Sequence, residues 1–573
     1  MPFLRLARAA CATALGLAAG AAQAVPQYFI VGDIADPRCQ YATIAQAITA
    51  AQLNGPGLDY VMVANNASYS AQALNVYGQS VLIEGGYADC DLNPDIGTPY
   101  TPIGGNGNAP VLNIEPGAAG SYEVRLSRLL LSGGGNTSAD GGGIRLRPGT
   151  NTFVKLSLDD TEVSGNRASR GGGIHAVRGT SPGGQYTVML RAGTRISGNT
   201  ASSSGGGLEL IDGNLHIEAD GVRIDGNSAA GAGGGISLLG GTLLVGNPEL
   251  RAPRNDATGA RIDHNSAGTI GGGIYLFGAS TRMNAQELIV EWNDAVTSGG
   301  GIAASNGAKV RLTRDSSDGL GWLCPREREC TRLSQNRAGG GTATGSRGGA
   351  LAIYSSEAEL AQAVVRHNEA QDASAIYVDG ASVLRAEGVV FSGHRSADQP
   401  SQASAVIRAY YVAPAQAPEL LIAYSTFMGN VRRGTDGNLQ RGLDVAGWNQ
   451  TVFSAYSSAF LDSPYPWVMY GPHRSDCIIQ RSGGLLDGNG THTRNTAVTQ
   501  TDTGVFLNGA LTDWRPRHSS PLVDFCNSDA YIPRYRDRDL QPRCRNDAKV
   551  DTHGPCDAGA WENDQLFADG YGG

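Results

Sequence analysis

Between residues 120 and 430 the apolar and polar positions recur in one compound pattern. An apolar residue, two variable residues and Asn are followed five or six positions later by three glycines, then by apolar residues at alternate positions. Val163-Ser-Gly-Asn166 leads to Gly171-Gly-Gly-Ile174, and Ile196-Ser-Gly-Asn199 to Gly205-Gly-Gly-Leu208. Ile224-Asp-Gly-Asn227 leads to Gly233-Gly-Gly-Ile236, Ile262-Asp-His-Asn265 to Gly271-Gly-Gly-Ile274, and Val290-Glu-Trp-Asn293 to Gly299-Gly-Gly-Ile302. Degenerate copies fall at Asn336, Asn368 and Asn430, and an early one precedes Gly141-Gly-Gly-Ile144. The Asn-to-Asn intervals are 33, 28, 38, 28 and 43 residues, so a short core unit accepts insertions.

After each triplet the period is two, as in Ile144-Arg-Leu146, Leu208-Glu-Leu210 and Ile274-Tyr-Leu276, which predicts a strand with one buried face. A unit this short cannot enclose its own core, so successive units must stack and bury a shared column of Ile and Leu. Each buried Ile or Leu contributes roughly 1.5–3 kcal/mol. The predicted fold is all-β, a right-handed single-stranded parallel β-helix. Asn166, Asn199, Asn227, Asn265 and Asn293 are expected to form an inward amide ladder at a left-handed corner, and the glycines to supply positive φ and close backbone approach at another.

Composition narrows the class further. Of 573 residues 81 are Gly and 25 Pro, with 17% charged and 41% hydrophobic, which excludes a helical bundle, a collagen and a charged disordered chain. Arg5 and Arg8, an apolar run from Ala9 to Ala22 and Ala22-Gln23-Ala24 predict a signal peptide over residues 1–24. Its removal takes two arginines and no acids from a chain of formal charge −9, which argues against nucleic-acid binding. No later segment has the ~18 uninterrupted apolar residues of a membrane-spanning helix.

An exported chain keeps eight cysteines, Cys39, Cys90, Cys324, Cys330, Cys477, Cys526, Cys544 and Cys556. Their placement suggests Cys39 with Cys90, Cys324 with Cys330, and the last four among themselves. Before the repeats, Thr43-Ile-Ala-Gln46 has capping-box spacing, and Ile44, Ala47, Ile48 and Ala51 share one helical face, predicting a short helix over the first coil. The expected divisions are an N-terminal cap and first coils at 25–120, the repeats at 121–470, C-terminal coils with a disulfide-stapled, loop-rich cap at 471–562, and a tail at 563–573.

The pairing of hydrophobic-x-x-Asn with Gly-Gly-Gly/Ala-Ile resembles the repeats of polymorphic outer membrane proteins. Phe427-Met-Gly-Asn430 and Gly348-Gly-Ala350-Leu351 come closest to that form. The resemblance implies the right-handed β-helix and a place at a bacterial surface. It departs in one respect, for the chain lacks the long series of amphipathic strands of an autotransporter barrel. The segment from Tyr41 is similar to the N-terminal cap of secreted β-helix proteins, including pectate lyase-like ones. Ser520-Pro-Leu-Val-Asp524 and Pro555-Cys-Asp-Ala-Gly-Ala-Trp-Glu562 resemble the closing elements of bacterial surface β-helix proteins with a variable anchor.

Candidate chemistry is sparse. The position after the first strand apolar reads Arg145, His175, Glu209, Ser237, Tyr275, Ala303, a mixed row. The position two before Asn reads Ser164, Ser197, Asp225, Asp263, Glu291. Three carboxylates at coil spacing repel unless hydrated or bridged by a cation, so Asp225, Asp263 and Glu291, flanked by His264 and Trp292, form the candidate catalytic or Ca²⁺ site, with a solvated acidic stripe as the plainer reading. No cofactor motif, Gly-x-Ser-x-Gly, His-Glu-x-x-His, phosphate loop or EF-hand loop is present. The function expected is therefore a secreted or cell-surface protein of adhesin-like display, binding extracellular glycans or host surfaces without catalysis. The alternative is a polysaccharide lyase or glycoside hydrolase acting on acidic glycans.

Overall fold

The computed structural model describes residues 26–516 apart from short internal stretches, the longest being 247–258 and 314–330, together with Leu522. Each regular coil holds three longer strands and a two-residue fourth. The coil beginning at Ile274 shows the plan, with strands Ile274–Phe277, Arg282–Gln286, Leu288–Glu291 and Asp294–Ala295. Within the coils the strands pair in parallel with their counterparts one coil on, giving a 40-stranded and a 10-stranded sheet, and the antiparallel pairs are confined to Val431–Arg433 with Leu439–Arg441 and Phe506–Asn508 with Asp513–Pro516 among the described residues. The chain is a parallel β-helix.

Register follows the apolar alternation. Ile144, Ile174, Leu208, Ile236, Ile274 and Ile302 are successive partners on the first strands of their coils. Ile196, Ile224, Ile262, Val290 and Leu333 form the matching column on the third strands. All are buried in one continuous core. The fourth strand adds a column that the hydrophobic pattern did not single out, the buried Ala168, Ala201, Ala229, Ala267, Ala295 and Ala338.

The Asn ladder is present, with one correction. Each Asn Nδ2 donates to the Oδ1 of the next coil's Asn, at 3.0 Å for Asn166–Asn199, Asn199–Asn227, Asn227–Asn265 and Asn265–Asn293, and the chain of bonds continues through Asn336 to Asn368. The same Oδ1 atoms accept backbone amides, such as Asn199 N to Asn227 Oδ1 at 3.0 Å. The left-handed residue, however, is the one before the Asn. Gly165, Gly198, Gly226, His264, Trp292, Gln335, His367 and Gly429 all have φ between 52° and 64°, as does Gly393, which precedes His394. The Asn side chain turns inward because its neighbour absorbs the turn.

In the glycine triplet only the first residue needs positive φ, such as 65° at Gly205. The second is excluded from bearing a side chain by the next coil, for a Cβ at Gly206 would lie 2.4 Å from the Gly234 carbonyl oxygen.

The helix Ile44–Asn54 buries Ile44, Ala47, Ile48 and Ala51 as expected, and Thr43 caps it by accepting from Gln46 N at 3.2 Å. Cys39 and Cys90 form a disulfide. Cys477 is buried on the strand His473–Arg481. Cys324, Cys330, Cys526, Cys544 and Cys556 lie outside the described residues, as do the signal segment 1–24, most of the expected C-terminal cap and the tail 563–573. Strand pairing crosses the division at 120 without a break, from Ser80–Tyr87 to Gly120–Ser127, and that at 470, from Val452–Phe460 to His473–Arg481. No described helix is long and apolar enough to cross a membrane.

Candidate functional site

Asp225, Asp263 and Glu291 stand on the third strands of three adjacent coils and are direct register partners, despite the unequal insertions between them. They are not a solvated stripe. All three are buried, because an arginine two positions earlier in the sequence pattern leans across from a neighbouring coil. Arg195 donates Nε and Nη2 to Asp225 Oδ1 and Oδ2 at 2.8 and 2.7 Å, and Arg223 does the same to Asp263 at 3.0 and 2.6 Å. Arg261 pairs with Glu291 Oε1, and Arg332 reaches Oε2 at 2.6 Å. Side chains alternate along the strand, so the arginine and the carboxylate face outward together, and parallel register sets the arginine of one coil beside the acid of the next.

The repulsion expected among the carboxylates is thus relieved by guanidinium groups. Bidentate pairs of this geometry are among the strong hydrogen bonds of proteins. They occupy both oxygens of Asp225 and of Asp263. A Ca²⁺ ion takes six to eight oxygen ligands, whereas the carboxylate oxygens of Asp225, Asp263 and Glu291 face arginine here. Among the described residues the only cluster with metal-ligand spacing is Asp36, Cys39 and Cys90, whose sulfurs are joined in the disulfide.

The corner beside this ladder carries a different feature. His264 and Trp292 occupy adjacent left-handed positions, their rings 6.0 Å apart and 15° from parallel. Both stay open to solvent, His264 with 60% of its side chain exposed and Trp292 with 50% of the residue exposed. A bulky residue at positive φ is uncommon, and holding one costs of order 1–2 kcal/mol. His264 Nδ1 lies 3.0 Å from Asp263 Oδ2, which ties the ring to the charge ladder.

Preceding this pair, the corner row reads Gly165, Gly198, Gly226. A Cβ at Gly165 or Gly198 would meet nothing within 4 Å, and one at Gly226 only the Gly198 amide nitrogen at 3.8 Å. Three coils therefore present an open shelf about 14 Å long, at about 4.8 Å per coil, that ends at the His264–Trp292 wall. One side is bordered by the exposed hydroxyl residues Thr200, Ser228 and Ser266 and by Arg167. The other is bordered by Arg195 and Arg223, whose side chains are 46% and 42% exposed. The sequence row pointed to the right coils and to His264 and Trp292, but to the wrong atoms, since the carboxylates lie beneath the surface and the arginines and rings form it. The signal that was available is the run of Gly, Gly, Gly, His, Trp immediately before successive Asn residues.

A second polar cluster lies in the mixed row on the first strands of the coils. His175 and Glu209 are adjacent-coil partners, with Nε2 and Oε2 3.5 Å apart. They point away from the core yet are buried, because the loop before each glycine triplet folds over the strand; a Cβ at Gly205 would sit 2.7 Å from Glu209 Cβ. Ser204 donates to Glu209, and Arg170, paired with Asp140 at 2.8 Å, lies above. Burial pushes the Glu209 carboxyl up to about 7, opposed by the Ser204 hydrogen bond and the Arg170 charge. Burial also pushes the His175 imidazole down to about 4.

Neither protein-family models nor curated proteins match this chain. The likeness to polymorphic outer membrane protein repeats therefore stands on the motifs alone, while the parallel β-helix stands on the strand register.

Proposed function

We propose that this is an exported or cell-surface β-helix protein that binds glycans on its outer face without cleaving them. The observation that carries the reading is the His264–Trp292 pair, two exposed and nearly parallel aromatic rings at adjacent left-handed corners, where the three preceding coils use Gly and the two following ones Gln335 and His367. Strained backbone that the fold does not require points to a task for the side chain. A pyranose ring offers an apolar C–H face and a hydroxyl rim. The rings match the first, and Thr200, Ser228, Ser266 and the arginine edges match the second. Turnover is disfavoured by the same geometry, since Asp225 and Asp263 have both oxygens engaged by arginine.

The test is a polysaccharide panel probed with the purified protein and with Trp292→Gly. Restoring the corner glycine should leave stability unchanged or raise it by about 1 kcal/mol, while binding falls at least about tenfold. Binding that survives in Trp292→Gly removes the reading. Unsaturated products or new reducing ends from any uronate-containing glycan, lost in Asp263→Asn, would instead establish the lyase or hydrolase alternative.

A further inference from the structure

We infer that the ligand of this shelf is an anionic glycan, one bearing carboxylate or sulfate groups; the inference rests on the glycan-binding reading and adds its charge. The acidic row read from the sequence is inverted at the surface. Asp225, Asp263 and Glu291 are buried, whereas Arg195 and Arg223, and Arg167 across the glycine row, stand exposed. A ligand arriving from solvent meets these guanidinium groups, with the half-buried Glu162 as Arg195's register partner on the preceding coil, on a chain whose overall formal charge is −9.

The arginines are also fixed in place. Arg195 and Arg223 each spend Nε and Nη2 on a carboxylate of the following coil, which leaves Nη1 directed away from the pair. Guanidinium has no acceptor atom, so those edges select groups that accept hydrogen bonds, and planar or tetrahedral oxyanions do so best. Arg195 and Arg223 are direct register partners, so their free edges repeat at the coil step of about 4.8 Å. Such a pair suits the spaced charges of a linear polyanion, while the His264–Trp292 wall supplies the contact that a bare counterion layer lacks.

The experiment compares three polymers of matched length on the intact protein, polygalacturonate, dextran sulfate and neutral dextran, at 50 and 500 mM NaCl. The expected result is binding of one or both charged polymers and not of dextran, weakening about tenfold across that salt range. Arg167→Ala should cost about threefold, as for an exposed charge contact, and Trp292→Gly should abolish the interaction. Preference between the charged polymers assigns carboxylate or sulfate. Equal, salt-independent binding of dextran would overturn the inference and leave glycan binding standing. Failure of every polymer would overturn both. Charged-polymer binding untouched by Trp292→Gly would show a diffuse electrostatic attraction elsewhere on the surface and also overturn the inference.

Discussion

Glu209 and His175 show how much a side chain's chemistry depends on a cover supplied from elsewhere in the chain. In the sequence both belong to the outward positions of a strand, where they are expected to be hydrated and ordinary. The corner carrying Ser204 and Gly205 covers Glu209 and the one carrying Gly171 covers His175, and no periodicity reports that, because the covering contact is made by the corner rather than the strand. Burial acts oppositely on an acid and a base. The folded state holds Glu209 protonated up to about 7, so its contribution to stability is fully present below the ordinary carboxyl range and is lost as pH rises through 7. It also holds His175 neutral down to about 4, so its contribution is present above the ordinary imidazole value near 6.5 and is lost as pH falls towards 4. Between about 4.5 and 6.5 the two slopes oppose each other, and the wild-type protein should show little net pH dependence from this pair. Glu209→Gln should unmask stability that rises with pH over that window, and His175→Gln stability that falls, each by at most about 1.4 kcal/mol per pH unit. Urea midpoints measured at several pH values read both slopes directly, and identical profiles in the two variants would contradict the assignment.

At the scale of elements, the strands and the Asn ladder were legible because period-two alternation and recurrent Asn are properties of neighbours in sequence. One rung of the ladder and one apolar column were harder to see. The interval from Asn368 to Asn430 is about two repeats and hides a rung formed by His394, whose Nδ1 accepts from Asn368 N at 3.2 Å and whose backbone N donates to Asn430 Oδ1 at 3.1 Å. Burial lowers that imidazole far below its ordinary value, so it fills the rung as a neutral amide substitute. The Ala column of the fourth strand went unnoticed because a single small residue per coil does not make a hydrophobic period. The ladder itself makes a quantitative claim. Asn227 accepts from Asn199 Nδ2 and Asn199 N, and donates to Asn265 Oδ1 and to the Ile196 carbonyl. Asn227→Ala would leave buried donors on the preceding coil without an acceptor, at an expected cost of about 2–4 kcal/mol. An unchanged denaturation midpoint would mean that the amides are satisfied some other way.

For the whole molecule, the central physical fact is that each coil packs chiefly on its neighbours, so stability is close to a sum of coil and interface terms along one axis. The stacking was readable because the repeat fixes its own register. The charge pattern of the surface was not, since Arg195 and Asp225 are 30 residues apart in sequence and meet only when the coils are superposed. A one-dimensional architecture also makes a local prediction about the N-terminal end. Cys39 and Cys90, 51 residues apart, bind the segment after the first strand to the segment after Ser80–Tyr87, and a Cβ at Gly32 would lie 2.5 Å from Cys90 Sγ, so the bridge is packed tightly onto the chain. Closing a loop of that length restricts the unfolded chain by about 4 kcal/mol in the chain-entropy picture. Because opening propagates coil by coil, reduction should loosen the first strand, the helix Ile44–Asn54 and the strand Leu58–Ala64 before the central repeats respond. Hydrogen exchange followed by mass spectrometry, with and without reductant, should show faster exchange over residues 28–64 and unchanged protection over residues 144–305. Uniform loss of protection along the chain would mean that the solenoid unfolds as a single cooperative body, and nearest-neighbour stacking would not describe its stability.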